Sequence, residues 1–249
     1  TKVIIEKLNS RGFKAYIVGG CVRDYLMGLN PSDIDITTNA KPEETKKVFS
    51  DFRVIETGIK HGTVSVLVNG RQFEVTTFRI DSEYSDNRHP DSVSFTPNVE
   101  EDLARRDFTM NAIAYNEQEG FIDPFGGMED IENRIIRCVG KPDKRFNEDA
   151  LRILRALRFS SVTGFDIEEN TRKALYENKE LLRNISVERI FQELTKLLCG
   201  DNVRKVLLEY VDVLGVVIPE LVPMKGFEQK SPYHAYDVLT HTAIVVESI

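Results

Sequence analysis

Several things are missing from this 249-residue chain, and each absence narrows the field. No apolar run is long enough to span a membrane, and the opening residues carry no signal-peptide pattern. Cysteine is scarce: Cys21, Cys138 and Cys199 are scattered, odd in number and away from metal-ligand spacing. That argues against a disulfide frame or a zinc site and for a reducing compartment, the cytoplasm. Positive charge is not in surplus. Lys and Arg number 33 against 40 Asp and Glu, a net charge of −7, so bulk charge does not announce a nucleic-acid binder. Fixed-period repeats and low-complexity segments are also lacking. What remains is an ordinary globular composition, 41% hydrophobic and 29% charged, of a length for one large domain or two small ones. The acidity is uneven, however. Residues 144–209 hold 13 Lys and Arg against 11 Asp and Glu, and a basic stripe on a helix can bind RNA even in an acidic protein.

The patterning divides the chain. "KVIIEKLNSRG" has helical spacing and ends at Gly12, a C-cap residue type. "KAYIVGG" is a short apolar strand feeding a glycine turn, and "CVRDYLMG" is a short helix closed by Gly28. "SDIDITT" alternates as a strand, and "KPEETKKVFSDF" is helical with Pro42 in its first turn. In "TVSVLVNGRQFEVTTF" the valines alternate, Asn69-Gly70 makes the turn, and Phe73 and Val75 resume the strand. Residues 80–98 are expected to be a long polar loop, of the kind that serves function or moves. "VEEDLARRDFTMNAIAY" is expected to be helical, and from about residue 145 the pattern is helical almost throughout. The expected fold class is α+β: a mixed-sheet head over residues 1–139, a helical neck over 140–200, and a helical body over 201–249. The last residues, "SPYHAYDVLTHTAIVVESI", begin a new helical pattern and stop without a cap, as if cut inside a further domain.

The chemistry concentrates in "VGGCVRDYLMGLNPSDIDITT". On a strand, residues two apart share a face, so Asp33 and Asp35 project together while Ile34 and Ile36 face the core. Two adjacent carboxylates repel unless something positive lies between them. Their hard oxygens suit Mg²⁺, which also takes phosphate oxygens and water, and a second ion would give a two-metal phosphoryl-transfer arrangement. The alternative is a solvated strand face that happens to carry two acids. Gly19 and Gly20 tilt the balance, because a bare backbone at the start of a helix can approach an anion, and Arg23 lies one turn further on. A glycine turn beside a D-x-D implies a nucleoside triphosphate.

These residues resemble the signature of the nucleotidyltransferase superfamily that includes DNA polymerase β. More closely, they resemble the class II tRNA nucleotidyltransferases and bacterial poly(A) polymerases. "RRDFTMNAIAY" (105–115), "DPFGGMED" (123–130) and "EDALRILRALRF" (148–159) resemble that family's next three motifs, in family order. The resemblance implies that Asp33 and Asp35 are catalytic and bind the metals, and that Arg106 contacts the nucleotide. It also implies that the loop "EYSDNRHPDSVSF" is the flexible loop of members able to add the terminal A. Its shortening characterises members that add only C. Implied substrates are CTP, ATP and the tRNA 3′ end, and the implied activity is template-independent CCA addition. Rivals are an A-adding enzyme or poly(A) polymerase and, from another class, the RNA-binding module of an HD phosphohydrolase. The tail "YHAYDVLTHT" resembles the entrance to an HD domain, with His234 or His241 as its first ligand.

The residues themselves sharpen these roles. Glu74, on the second hairpin strand, is a candidate third carboxylate, with Asp81, Glu83 and Asp86 as weaker ones. Arg105 and Arg106 would point about 100° apart on a helix, leaving one for a ligand and one for a structural acid. Asp107 and Asn111, one turn apart, could support the ribose side. Asp149 and Arg152 are three apart and are expected to be neighbours on one helix face. Asp accepts and Arg donates. Side by side they match the exocyclic amine and ring nitrogen of cytosine or adenine, and clash with the carbonyl and N–H of guanine or uracil. An ordinary surface salt bridge is the alternative. Arg155 and Arg158 continue the spacing but drift around the helix, and are expected to hold phosphates or fix the pair. Leu151, Leu154 and Leu157 are expected in the core. Lys196, Arg204 and Lys205 are candidate tRNA contacts.

Overall fold

Period-two alternation builds the sheet, and the sheet builds the site. The computed structural model describes residues 1–31, 33–81, 92–231, 233 and 235–249. They group into two compact units, one of residues 1–81, 92–133 and 137–140, the other of residues 134–136 and 141–249.

The first unit runs α1 (Lys2–Asn9), β1 (Ala15–Val18), α2 (Gly20–Leu26), β2 (Asp35–Thr38), α3 (Pro42–Val48), β3 (Arg53–Gly58), β4 (Thr63–Val68), β5 (Arg71–Thr77), β6 (Arg79–Asp81), β7 (Val93–Phe95), α4 (Val99–Ala104), β8 (Ala114–Asn116), β9 (Gly120–Ile122) and α5 (Gly127–Glu132). Seven strands form a mixed sheet in the order β3-β4-β5-β2-β1-β8-β9. β2 and β5 run parallel, and the other neighbours are antiparallel. The hairpin turns where expected: Asn69 and Gly70 both take positive φ, 51° and 77°, as a two-residue primed turn requires.

Alternation then sorts the two faces. Ala15, Ile36, Val64, Val66, Phe73 and Val75 join Ile4 and Leu8 of α1 and Val48 of α3 in one core. Tyr16, Val18 and Ala114 join Val99 and Leu103 of α4, with Phe78, in a second core on the other face. Val18 opposes Asp35, Tyr16 opposes Thr37, and Asp35 opposes Glu74. The two acids therefore emerge on the α4 face.

The second unit holds β10 (Ile135–Ile136), α6 (Pro142–Glu148), α7 (Leu151–Thr163), β11 (Asp166–Ile167), α8 (Glu169–Glu177), α9 (Val187–Leu198), α10 (Val203–Glu209), α11 (Val211–Leu214) and α12 (Val238–Glu247). Its helical character is as expected, apart from the short parallel ladder of β10 and β11. Leu151, Leu154 and Leu157 are buried in its core. With a mixed sheet followed by helices, the fold class is α+β. No helix among the described residues is long and apolar enough to cross a membrane.

Three local expectations need correction. Residues 99–115 are not one helix: α4 stops at Ala104, a single 3₁₀ turn spans Thr109–Asn111, and β8 follows. Asp107 accepts hydrogen bonds from the Phe108 N–H (2.8 Å) and Asn111 Nδ2 (3.0 Å), offering the backbone an alternative to the helical ladder. Residues 80–98 are not all loop, since β6 pairs with β7; residues 82–91 lie outside the described residues. Finally, Asp149 is not on the helix of Arg152. It sits between α6 and α7 in an extended conformation, φ −144° and ψ 103°.

Candidate active site

β1 ends at Val18 and the chain turns at Gly19, with φ 81° and ψ −138°, a conformation that essentially only glycine adopts readily. A Cβ at Gly19 would lie 2.9 Å from Arg106 Nη1. The bare backbone is therefore what allows the Arg106 guanidinium to rest on the turn. Arg23, expected at a phosphate, is turned to other partners. Its Nε and Nη2 donate to Asp24 Oδ1 (2.9 and 2.7 Å) and its Nη1 to Asn111 Oδ1 (2.7 Å). Asn111 in turn bonds Asp107. Arg23 thus ties the helix after the glycine turn to the second motif. Gly20 lies against the same guanidinium, its notional Cβ 3.5 Å from Arg23 Nη2.

Asp33 precedes β2 rather than lying on it, because the strand begins at Asp35. The expected strand pair is therefore one loop acid and one strand acid. Both line a cleft of about 710 Å³ together with Glu74 and Arg71, and Glu74 stands directly opposite Asp35 in the parallel ladder. Burial pushes the Asp35 carboxyl above its ordinary value; Arg106 opposes that shift and Asp33 adds to it. Crowded carboxylates lining one cleft fit a hard cation. The three acids are not drawn together in advance: among the described residues, no group of three or more His, Cys, Asp or Glu is arranged to hold a metal. Two aspartates suffice for a cation that keeps waters and takes phosphate oxygens. Arg71 went unnoticed in the sequence, although its place just after the Asn-Gly turn was the available signal.

Arg105 and Arg106 share one structural acid. Both meet the buried carboxylate of Asp102, Arg105 at 2.9 Å and Arg106 at 3.5 Å. Asp81, a weaker third-acid candidate, pairs with Arg79 (3.2 Å) and Arg105 (3.8 Å); Glu83 and Asp86 lie outside the described residues. The "DPFGGMED" motif braces the second motif. Asp123 accepts from the N–H groups of Gly127 (2.7 Å) and Met128 (2.8 Å) at the start of α5. Asp130 accepts from Thr109 Oγ1 (2.6 Å) and pairs with Arg137.

In the second unit, Asp149 and Arg152 each have another partner. Asp149 Oδ1 accepts from the Leu151 N–H (3.1 Å), and Oδ2 accepts from Arg189 Nη2 (2.8 Å). Arg152 Nη1 donates to Glu148 Oε2 (2.7 Å) and to the Arg145 carbonyl (3.1 Å). Arg155 and Arg158 both face the buried Glu193, at 3.9 and 2.8 Å, and both lie against the Phe159 ring. Arg189 and Glu193 carried no motif, and only their four-residue spacing on α9 hinted that they share a face. Of the tRNA candidates, Lys205 pairs with Asp166 and Arg204 with Glu247, while Lys196 is exposed on the last turn of α9. His241 lies in α12, and His234 is outside the described residues.

Comparison with known proteins agrees with this arrangement. Residues 15–137 match the poly A polymerase head domain, and residues 164–225 match the probable RNA and SrmB-binding site of polymerase A. A CCA-adding enzyme of Lactobacillus helveticus is 46% identical over 97% of this chain and 60% of its own length. One of Geobacillus thermodenitrificans is 54% identical over 79% of this chain and 48% of its own. Among solved structures, the Bacillus stearothermophilus CCA-adding enzyme in complex with CTP aligns with a TM-score of 0.77 at 47% identity, covering 84% of this chain and 50% of that one. The Thermotoga maritima CCA-adding enzyme complexed with tRNA aligns at 0.73 and 28% identity, covering 88% and 52%. The chain thus spans about half to three-fifths of the length of these relatives. With the head model matching the sheet that carries the paired aspartates and glycine turn, and the RNA-binding model matching helices of the second unit, the chain belongs to the tRNA nucleotidyltransferase and poly(A) polymerase family.

Proposed function

We propose that this chain carries the nucleotidyl-transferring part of an enzyme that adds C and A to the 3′ end of tRNA from CTP and ATP, releasing pyrophosphate. The observation that carries this reading is the cleft shared by Asp33, Asp35 and Glu74, one strand away from a glycine turn that seats Arg106. In this reading Asp33 and Asp35 hold Mg²⁺, and Glu74 is the added carboxylate. A bound divalent cation would supply the charge that neutralises the triphosphate and favours ionisation of the attacking 3′ hydroxyl. Arg106 offers its guanidinium to the nucleotide from the glycine turn, while Arg23 keeps that turn in register with the second motif.

Base choice falls to Asp149 and Arg152. An acceptor beside a donor matches cytosine and adenine and rejects guanine and uracil, and a mispaired polar site of this kind can discriminate by about 10⁴. Arg189 holds the Asp149 side chain and Glu148 that of Arg152. Arg155 and Arg158, gathered by Glu193, complete a cationic edge for phosphates. Residues 1–139 are read as the catalytic head, 140–200 as the neck and 201–249 as the body leading into an HD-like segment. The three cysteines are all free, in keeping with a cytoplasmic setting.

The test uses tRNA ending before CCA, after C, or after CC, with labelled CTP or ATP and a full-length relative as control. CTP incorporation on the first two and ATP incorporation on the third is the expected result. ATP incorporation alone would favour the A-adding or poly(A) polymerase reading. No incorporation beside an active control would leave the RNA-binding module of an HD phosphohydrolase.

A further inference from the structure

Asp102 belongs to no motif singled out in the sequence, yet it is fully buried and meets five donors. Its Oδ1 accepts from Arg105 Nε (3.0 Å), Arg105 Nη2 (2.9 Å) and the Arg79 N–H (3.3 Å). Its Oδ2 faces Arg106 Nη2 (3.5 Å) and Thr37 Oγ1 (3.4 Å). Burial works against the charged carboxylate, but Arg105 and Arg106 outweigh it and hold the group below the usual carboxylate range. The grip on Arg105 is tight. At 3.5 Å the contact with Arg106 is an ion pair rather than a strong hydrogen bond.

The placement of these partners gives Asp102 a use beyond neutralising Arg105. Thr37 lies on β2 two residues after Asp35 and on the same face. Arg106 rests on Gly19, and its charge acts on Asp35. Arg106 Nε is buried and has no hydrogen-bond partner among the described residues; of the carboxylates acting on this guanidinium, Asp102 acts most strongly, ahead of Asp107 and Asp35. One carboxylate on α4 therefore touches the acid-bearing strand and the arginine that lies on the glycine turn.

We propose that Asp102 is a positioning residue that pins the Arg106 guanidinium against the Gly19 turn, beside Asp35, so that an incoming triphosphate meets a cation already in place. The proposal rests on the reading of this cleft as a nucleotidyl-transfer site. The general reason is that a charged group fixed in advance loses less freedom when the ligand binds.

Asp102→Asn tests it, because the amide keeps an acceptor oxygen and the side-chain shape while losing the charge. The first readout is the Nε–Hε signal of Arg106 in ¹⁵N–¹H spectra, assigned by its disappearance in Arg106→Lys. It should be sharp and slow to exchange in the wild type, and broadened in Asp102→Asn. The second readout is ATP and CTP affinity by calorimetry, which should fall about 10-fold in Asp102→Asn. In Asp102→Asn/Arg106→Lys the loss should be no greater than in Arg106→Lys alone. An unchanged Arg106 signal, or additive losses in the double variant, would overturn the proposal. If Asp102→Asn does not fold, Asp102→Glu keeps the charge but displaces it, and the same broadening is expected. If the wild type binds neither nucleotide, the nucleotidyl-transfer reading fails, and the Arg106 signal alone decides whether Asp102 pins the arginine.

Discussion

Replacing Arg189 with Met should loosen base selection without touching any group expected to meet the base. In the wild type, Arg189 Nη2 donates to Asp149 Oδ2 at 2.8 Å from a helix 40 residues away, with the two side chains about one-fifth exposed. A hydrogen bond between charged groups is worth about 1.5–3 kcal/mol, and partial exposure reduces that to about 1–2 kcal/mol. Once it is lost, the Leu151 N–H, 3.1 Å from Oδ1, supplies the remaining hydrogen bond to the carboxylate among the described residues. In the proposed reading, the Asp149 acceptor is then free to rotate away from the base edge. Selection for CTP and ATP over UTP and GTP should fall by about 5- to 30-fold, the equivalent of 1–2 kcal/mol. Asp149→Ala removes the acceptor itself and should cost far more, up to the roughly 10⁴ available to a mispaired polar site. The assay is the ratio of kcat/KM for correct and incorrect nucleotides in single-nucleotide addition. If Arg189→Met keeps full selectivity while Asp149→Ala loses it, Arg189 does not orient the carboxylate. A uniform fall for all four nucleotides would likewise refute orientation and leave only a structural contribution.

Four further outcomes are expected. Gly19→Ala places a methyl group 2.9 Å from Arg106 Nη1 at φ 81°. It should cost about 1–2 kcal/mol of stability and weaken nucleotide binding, both readable by urea titration with and without ATP. Gly127→Ala brings a Cβ to 2.2 Å from the Thr109 carbonyl and should cost about 1–3 kcal/mol, seen as a melting point several degrees lower. Glu74→Gln leaves the β2–β5 ladder intact, so slower incorporation at an unchanged melting point would identify the carboxylate as a third ligand. An unchanged rate would assign metal holding to Asp33 and Asp35 alone. The last outcome concerns pH. Arg105 and Arg106 hold the buried Asp102 below its ordinary value despite burial, so its contribution is present above the unfolded value of about 3.9 and lost as pH falls through the lower folded one. The stability gap between wild type and Asp102→Asn, measured by urea denaturation, should be constant from pH 5 to 7 and narrow below pH 4. A gap that widens there would reverse the sign.

What the sequence revealed and what it concealed follow from the range of the interactions involved. The β4–β5 hairpin was legible because alternation and an Asn-Gly turn are local, and Asn69 and Gly70 adopt the backbone that pair favours. The paired aspartates were legible because their spacing is itself the signal. The helix expected across Arg105 and Arg106 failed because the side chain of Asp107 competes for the backbone, a choice that periodicity does not register. Asp149 was placed on a helix because "EDALRILRALRF" is helical in pattern on both sides of it. The break is fixed by its bond to the Leu151 N–H and by Arg189, a residue that only tertiary structure brings near. The bond between Arg23 and Asn111 was hidden for the same reason, since the two lie 88 residues apart.

The cleft and the core are consequences of one alternation. Ile36 on β2 and Phe73 and Val75 on β5 are buried against α1 and α3, so Asp35 and Glu74 must emerge on the opposite face. A slip of one residue between these strands would bury Glu74 and expose Phe73 and Val75. Charge burial and lost apolar burial both oppose that slip. The register that brings two carboxylates together, at a cost in repulsion, is thus enforced by residues that never touch a ligand. Parallel pairing of β2 and β5 needs a crossover, and α3, β3 and β4 provide it between them in the chain. β4 then turns at Asn69–Gly70 to deliver β5, and with it Glu74, beside Asp35. The hairpin that looks purely structural in the sequence is the element that carries Glu74 into the cleft.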